Sequence, residues 1–144
     1  MQPGRRERDA GNAALELLIL APVILLLISL VIAAGRTSLA QGSVQAAARD
    51  AARQASIART AAAAQSAGTL SAGLELAQEG LGCVSAPVVQ VDVGGFSTPV
   101  GEPATVTATV QCSVPLSDLL LPGVPGTKTL TARFTSPLDP FRGR

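Results

Sequence analysis

The chain has 144 residues, of which 47% are hydrophobic, and its formal net charge is +1. A charge so close to zero gives no basic field for nucleic acid, and the absence of Trp and Tyr removes aromatic platforms for base stacking. There is no His, and two cysteines alone do not make a typical zinc site. We therefore expect no metal, no other cofactor and no nucleic-acid partner.

The N-terminal region divides into a leader and an apolar helix. Residues 1–11 are polar and rich in arginine, whereas residues 12–35 are predominantly apolar, with no charge between Leu17 and Gly35. About 20 apolar residues in a helix cross a bilayer core of roughly 30 Å, so residues 12–35 are predicted to form a transmembrane helix. The alternative is a cleaved secretory signal, since the small residues before Gly35 would suit a signal peptidase.

The charges that flank this helix give only a weak orientation. Arginines lie on both sides of it: Arg5, Arg6 and Arg8 before, and Arg36, Arg49 and Arg53 after. The tighter cluster before the helix favours a cytoplasmic N-terminus, because positive charge is retained inside. Cysteines beyond the helix favour an extracytoplasmic C-terminal domain, because disulfides persist outside the cytosol. A single-pass membrane protein with this orientation is predicted.

Residues 36–82 are rich in alanine, which has the highest intrinsic helix propensity. They are predicted to continue the helix as a stalk, which ends or bends at Gly68 and is followed by a short second helix through Leu70 and Leu74. Two arrangements remain open for the stalk. Its small side chains would allow close packing in a bundle of many copies, or the helix would rest on the chain's own sheet.

From residue 83 the apolar period becomes two, which is typical of strands. Strands are predicted at residues 89–93, 105–114 and 127–135. The inward face of the second is expected to carry Val106, Ala108, Val110, Cys112 and Val114. Residues 83–136 should form a small antiparallel sheet of about three strands, and residues 137–144 a flexible tail. The predicted fold class is α+β, with a long N-terminal helix followed by this sheet.

Cys83 and Cys112 share the parity of the inward-facing valines next to them in sequence. A register that places Val89 opposite Val106 also places the two cysteines opposite each other on the buried face. A disulfide between them is predicted, with Pro87 as the residue that would disturb the register through a bulge. Two buried free thiols are the alternative.

The junction between leader and helix is the most informative feature of the chain. Gly11 ends the leader, and Glu16 lies five residues later at the start of the apolar run. A carboxylate at this depth is costly unless it reaches the interface or finds a positive partner. A glycine, a glutamate five residues on and then an apolar helix have the layout of a type IV prepilin processing site.

The chain resembles the TadE-like (tight-adherence) minor pilins or pseudopilins in Gly11-Asn-Ala-Ala-Leu-Glu16, in the run through Ala21-Pro22 and in the closing residues 129–137. The resemblance implies that a prepilin peptidase cuts after Gly11, so that the mature chain begins at Asn12. It also implies that Glu16 pairs with the N-terminal amine of a neighbouring subunit. Major type IV pilins have Phe where this chain has Asn12, which bears more on N-terminal methylation than on cleavage. The implied partners are the bilayer, the peptidase and other pilin or pseudopilin subunits.

The predicted function is a minor pilin-like structural subunit of a tight-adherence type IV pilus or related secretion apparatus, processed after Gly11 and assembled through its N-terminal helix. The alternative is an unprocessed, single-pass, membrane-anchored extracytoplasmic binding module. An enzyme is not expected, because the chain has no His and only Lys128 stands as a basic partner for a serine nucleophile.

Overall fold

A computed structural model describes residues 5–120 and 123–141, with side chains from Glu16 onward. Its elements are α1 (Arg5–Ser56), α2 (Ala61–Gln78), β1 (Val88–Asp92), a single 3-10 turn (Gly94–Ser97), β2 (Thr105–Pro115), α3 (Leu116–Leu119) and β3 (Thr127–Pro137). The strands form one three-stranded sheet in the order β1-β2-β3, with antiparallel neighbours. The fold class is therefore α+β, a long N-terminal helix followed by an antiparallel sheet, as predicted.

Helix α1 has two halves with different surroundings. Between Leu17 and Ile32 every large apolar side chain has at least 47% of its surface exposed. Between Ala40 and Ala55 one side of the helix is buried in the head, which comprises the sheet, α2 and the second half of α1. The fully buried residues on that side are Val44, Ala47, Ala48, Ala51, Ala52 and Ala55. The Ala-rich helix thus rests on the chain's own sheet, which is the second of the two arrangements considered for it.

The break between the two helices lies at residues 57–60 rather than at Gly68. Thr60 starts α2 as its N-cap, since its side-chain oxygen accepts a hydrogen bond from the N–H of Ala63 at 3.2 Å. Gly68 lies inside α2, where a Cβ atom would come 2.9 Å from a methyl group of Val91. The glycine therefore permits a close approach between α2 and the sheet, and the expectation that it ends a helix was wrong.

Strand β2 occupies the centre of the sheet, and its alternate residues form the inner face. All five residues predicted to face inward are buried: Val106, Ala108, Val110, Cys112 and Val114. On β3 the inner face carries Leu130 and Ala132, which are buried, and Phe134, which is partly buried. These side chains pack against α1 and α2, so the core lies between one face of the sheet and the two helices.

The predicted register between β1 and β2 was wrong, although the antiparallel pairing is present. Val89 lies opposite Val110 rather than opposite Val106. The inward and outward faces are unaffected, because a shift by an even number of residues keeps every side chain on the same face of a sheet. The strand periodicity therefore identified the faces, while the register depended on the loop between the strands.

Cys83 and Cys112 are joined by a disulfide, with their Cα atoms 5.4 Å apart. The two cysteines lie close together because the residues just before β1 do not keep the register of the β1–β2 ladder. The N–H of Val84 donates to the carbonyl oxygen of Ser113 at 2.7 Å, and extra residues follow on this strand, as in a bulge. Pro87 lies among them and has no N–H for a ladder hydrogen bond.

The second half of α1 runs alongside β3 in the same direction. Gln41 donates from Nε2 to the carbonyl oxygen of Thr131 at 3.1 Å, and near the end of the helix Ser136 Oγ donates to Ser56 Oγ at 3.1 Å. The exposed half of α1 therefore leaves the head at the end where β3 begins. The opposite end holds the turn before β2 and the start of the tail, where Leu138 is buried. Residues 142–144 of the predicted tail lie outside the described residues.

Candidate functional site

The residues predicted for processing and assembly lie together near the N-terminal end of α1. Gly11 and Asn12 are within the helix, but their side-chain surroundings lie outside the described residues. Glu16 is exposed, and among the described side chains none forms a hydrogen bond or ion pair with its carboxylate. The disulfide between Cys83 and Cys112 lies in the head, so the predicted site residues fall in two separate places.

In the described part of the chain, α1 is the one helix that is long and apolar enough to cross a bilayer, and its candidate span runs from Glu16 to Ser56. Only 6% of its most apolar window is buried within the protein. The core helix of a soluble protein would be covered by its own domain, and this one is not. A signal sequence near the N-terminus would have the same properties. A single N-terminal apolar helix of this kind fits a single-pass membrane anchor.

A groove follows the α2 side of α1 where the helix leaves the head. Its volume is about 630 Å³, and Leu39, Leu119 and Glu79 are among the residues that line it. Two hydrogen bonds connect α1 to the opposite side of this groove. Ser43 Oγ donates to a carboxylate oxygen of Glu79 at 3.3 Å, and Arg36 donates to the carbonyl oxygen of Asp118 at 3.4 Å. The helix is thus attached to the head at the point where it emerges.

A second groove lies on the β3 side of the same helix, with a volume of about 680 Å³. Leu30 and Ala33 from the exposed half of α1 contribute to it, and Lys128 at the start of β3 adds a positive charge to its lining. Within the described residues, no group of His, Cys, Asp or Glu side chains is placed to hold a metal ion. Both grooves lie beside the emerging helix, which suits contacts made along that helix.

Leu39 and Val44 lie on different sides of α1, since 75% of the surface of Leu39 is exposed while Val44 is fully buried. Leu39 and Val44 are five residues apart, which separates them by about 140° around a helix. A count of helical angle would have shown that they face different surroundings.

These features define a class of protein: one apolar N-terminal helix, uncovered along its first half, that carries a small disulfide-bonded α+β head. A model of the TadE-like protein family matches residues 11–53. The matched region begins at Gly11 and runs through the apolar half of α1 into its Ala-rich half. The predicted resemblance to TadE-like proteins is confirmed for this region. Comparisons with curated proteins and with solved structures found no match.

The family match suggests a pilin-like subunit related to the tight-adherence pilus, which associates with the membrane and with other pilus subunits. TadE-like pilins form a structural family. The matched residues carry the exposed apolar helix, whereas the sheet and the disulfide lie beyond them. The family relationship therefore concerns the long N-terminal helix rather than the sheet.

Proposed function

We propose that this chain is a minor pilin-like structural subunit of a tight-adherence type IV pilus or a related secretion apparatus. It is processed after Gly11 and assembles through its N-terminal helix. The observation that carries this proposal is the TadE-like match beginning at Gly11, which includes the spacing from Gly11 to Glu16 and the apolar helix together. The uncovered apolar half of α1 supports it, because a surface of this kind needs lipid or another helix around it.

Processing would change the charges at the start of the helix. Cleavage after Gly11 removes the arginine-rich leader and creates a new amino group at Asn12. Asn12 is about one helical turn before Glu16. A carboxylate at the bilayer edge is poorly tolerated alone, and an ammonium group from a neighbouring subunit would compensate it.

The head is proposed to lie outside the cytoplasm, with the N-terminus inside. The disulfide supports this orientation, because such bonds persist in oxidising compartments. The proposed partners are the lipid bilayer, a prepilin peptidase and other pilin or pseudopilin subunits. Access of a membrane-impermeant thiol reagent to a cysteine introduced at exposed Gln90, in intact cells, tests the orientation; labelling only after lysis would contradict it.

A mass measurement tests the processing step. A C-terminally tagged chain is expressed with and without a prepilin peptidase, and the mass is expected to fall by that of residues 1–11 only when the peptidase is present. Gly11→Leu should abolish the change, because a bulky side chain replaces the residue at the cut. N-terminal sequencing distinguishes starts at Met1, at Asn12 and beyond Gly35. An unprocessed wild-type chain in the presence of an active peptidase would contradict the proposal.

The second candidate is an unprocessed, membrane-anchored binding module, and the exposed head surface at Leu70 and Leu74 favours it. These side chains are more than half exposed and line a groove between α1 and α2. The two functions differ in their response to Glu16→Ala. Loss of the carboxylate should impair incorporation into the assembly if the chain is a pilin-like subunit, and should leave partner binding by the head unchanged if it is a binding module.

A further inference from the structure

The head makes contact with α1 before the apolar run of that helix ends. The run from Leu17 to Gly35 corresponds to about 28 Å of helix, which is close to the thickness of a bilayer core. Ala33 lies within this run and is already buried, and it lines the groove on the β3 side together with Leu30 and with Leu120 of the head. In a chain that α1 anchors, this end of the head therefore reaches the depth of the bilayer surface.

The groove on the β3 side changes in polarity along α1. At its lower end, toward the exposed half of the helix, it is lined by Leu30 and Ala34, whereas Gln41 and Gln45 line its upper end. Ala34 and Gln41 are separated by about 10 Å along the helix axis. A phospholipid in the outer leaflet has the same order, with apolar chains below and a polar headgroup above. The groove therefore matches the outer leaflet in both depth and polarity.

Lys128 lies at the level where the apolar run ends. The carbonyl oxygen of Thr131 accepts a hydrogen bond from Gln41, and Lys128 precedes Thr131 by three residues, or about 10 Å of strand. About seven helical residues cover the same distance, and α1 and β3 run in the same direction. Lys128 is therefore at about the level of Ala34. Its exposed ammonium group lies where the phosphates of a surrounding bilayer begin.

Charges differ between the two grooves beside α1 at this level. On the α2 side, Arg36 donates to the carbonyl oxygen of Asp118 at 3.4 Å, and both Asp118 and Glu79 line the first groove. Carboxylates therefore lie near the cation on that side. Among the described residues that line the groove on the β3 side, Lys128 is accompanied by no carboxylate. The β3 side is thus the one that favours an anionic group such as a lipid phosphate.

The segment after α3 presents an apolar side chain at this end of the head. Leu120 exposes 37% of its surface, although its neighbour Leu119 is buried. The N–H of Leu116 donates to the carbonyl oxygen of Gly126 at 2.9 Å, which ties the two ends of the α3–β3 connection together. The sequence has no Trp or Tyr, the residues that usually anchor a protein at the bilayer surface. An aliphatic side chain beside a lysine can take that role here.

We propose that the head is seated on the outer leaflet through the groove on the β3 side, which receives a phospholipid with its acyl chain beside Leu30 and Leu120 and its phosphate at Lys128. The inference rests on the proposed function for the single-pass anchor and for the position of the head outside the cytoplasm. Lipid is the occupant because the groove is continuous with the apolar surface of α1 that a bilayer surrounds. The contact fixes the depth of the head relative to the membrane.

Depth-dependent fluorescence quenching tests this seating in the full chain, reconstituted in vesicles of phosphatidylcholine and phosphatidylglycerol. The two natural cysteines are joined to each other, so an introduced cysteine supplies a unique free thiol for a fluorophore. Labels at Leu120→Cys and Ala34→Cys should be quenched alike by a nitroxide carried on the lipid, because both lie at the bilayer surface. A label at Gln45→Cys, about 16 Å further along α1 than Ala34, should be quenched at least about threefold less.

Val100→Cys is the matched control for Leu120→Cys. Val100 is also an exposed apolar residue, but it lies in the turn before β2 at the opposite end of the head. Its label should be quenched by aqueous iodide and not by the lipid nitroxide. Equal lipid quenching at both ends of the head would overturn the proposal. Protection of the Leu120→Cys label from both quenchers would also overturn it, because protein rather than lipid would then cover the groove.

Substitutions at Lys128 test the phosphate contact in the Leu120→Cys background. Lys128→Glu should lower lipid quenching by about half in vesicles that contain phosphatidylglycerol, and Lys128→Arg should retain it, because only the first repels the lipid phosphate. Lys128 is exposed, so the head should fold normally in both variants, and far-ultraviolet circular dichroism checks this. Equal quenching in the two variants would overturn the assignment of the phosphate to Lys128.

N-terminal sequencing of chains purified from cells with an active prepilin peptidase reports processing separately from seating. A processed chain whose Leu120→Cys label remains in water contradicts only the seating of the head. An unprocessed chain whose label lies in lipid contradicts only the proposed function.

Discussion

The two halves of α1 belong to one continuous helix but differ in how much of their apolar surface is buried. The large residues of the first half are Leu, Ile and Val, which are uncovered, whereas the second half is rich in Ala and buries the alanines of one side against the sheet and α2. Large side chains suit a helix that lipid surrounds on all sides. Alanine suits a helix whose backbone must lie close to a sheet and a second helix, although each residue buries little area. Side-chain size along the helix therefore reports which surroundings each half has.

The largest expected effect comes from a charge in the first half. Leu26→Arg should cost about 3–4 kcal/mol of membrane insertion, because arginine at the middle of a spanning helix is strongly unfavourable where leucine is favourable. Leu39→Arg is the matched control, since Leu39 is equally exposed but lies beyond the apolar run. Alkaline extraction of membranes measures the fraction that remains inserted. Equal extraction of both variants would show that the apolar half is not the anchor.

Loss of the disulfide is expected to have the next largest effect on stability. The bond lies in the head, whose core depends largely on small alanine side chains. The bond joins residues 29 positions apart, which is worth about 3.5 kcal/mol in the chain-entropy model. The double variant Cys83→Ser/Cys112→Ser should unfold at correspondingly lower denaturant concentration. Reduction of the wild-type chain should reproduce the shift, and the double variant should not respond to the reductant. A wild-type midpoint that is insensitive to reduction would contradict this estimate.

Overpacking distinguishes the buried side of the second half from its outer side. Ala48→Leu should destabilise the head by about 1–3 kcal/mol, because no space exists at a fully buried position beside the sheet. Ala46→Leu, two residues away on the side of α1 that is turned from the sheet, should change stability by less than about 0.5 kcal/mol. Denaturant midpoints of the full chain in detergent compare the two. Similar losses for both variants would mean that the Ala-rich half is enclosed on all sides.

The smallest effect is a contrast between two glycines. Gly42→Ala should raise helix stability by about 0.5–1 kcal/mol, because the position is helical and open. Gly68→Ala should lower stability, since its Cβ would press against Val91 and against the carbonyl oxygen of Ala51, 3.2 Å away. Thermal unfolding of the two variants should move in opposite directions. Stabilisation by Gly68→Ala would show that α2 is free to move away from the sheet.

The sequence predicted the elements and their faces because those depend on local periodicity. The change from an apolar run to a period of two located the sheet, and the inward residues of β2 followed from their alternation. The register of β1 was not predictable in this way, because it depends on the path of the loop between β1 and β2, whereas the unpaired residues around Pro87 decide where Cys83 meets Cys112. The junction at Gly11 was predictable as a motif, since its spacing is local, and its cleavage stays a prediction.

Other misses have the same physical origin. Glycine is a residue typical of helix ends, so the sequence suggested that a helix ends at Gly68. Only the close packing of α2 against β1 explains why this glycine lies in a helix interior. The break at residues 57–60 carries a usable signal in Thr60, an N-cap residue before a run of alanines. The helical angle between Leu39 and Val44 shows that they face different surroundings, but which of the two is buried depends on where the sheet lies.

The continuity of α1 has a mechanical consequence. Its 52 residues correspond to a rod about 78 Å long at the α-helical rise of 1.5 Å per residue. No flexible linker separates the apolar half from the core of the head. Tension applied to the head is therefore transmitted along the rod as shear between α1 and the sheet, where Gln41 and Ser56 are bonded to β3. Pro22 in the apolar half has no N–H to donate to the helix, so bending under load is expected there rather than where the helix enters the head.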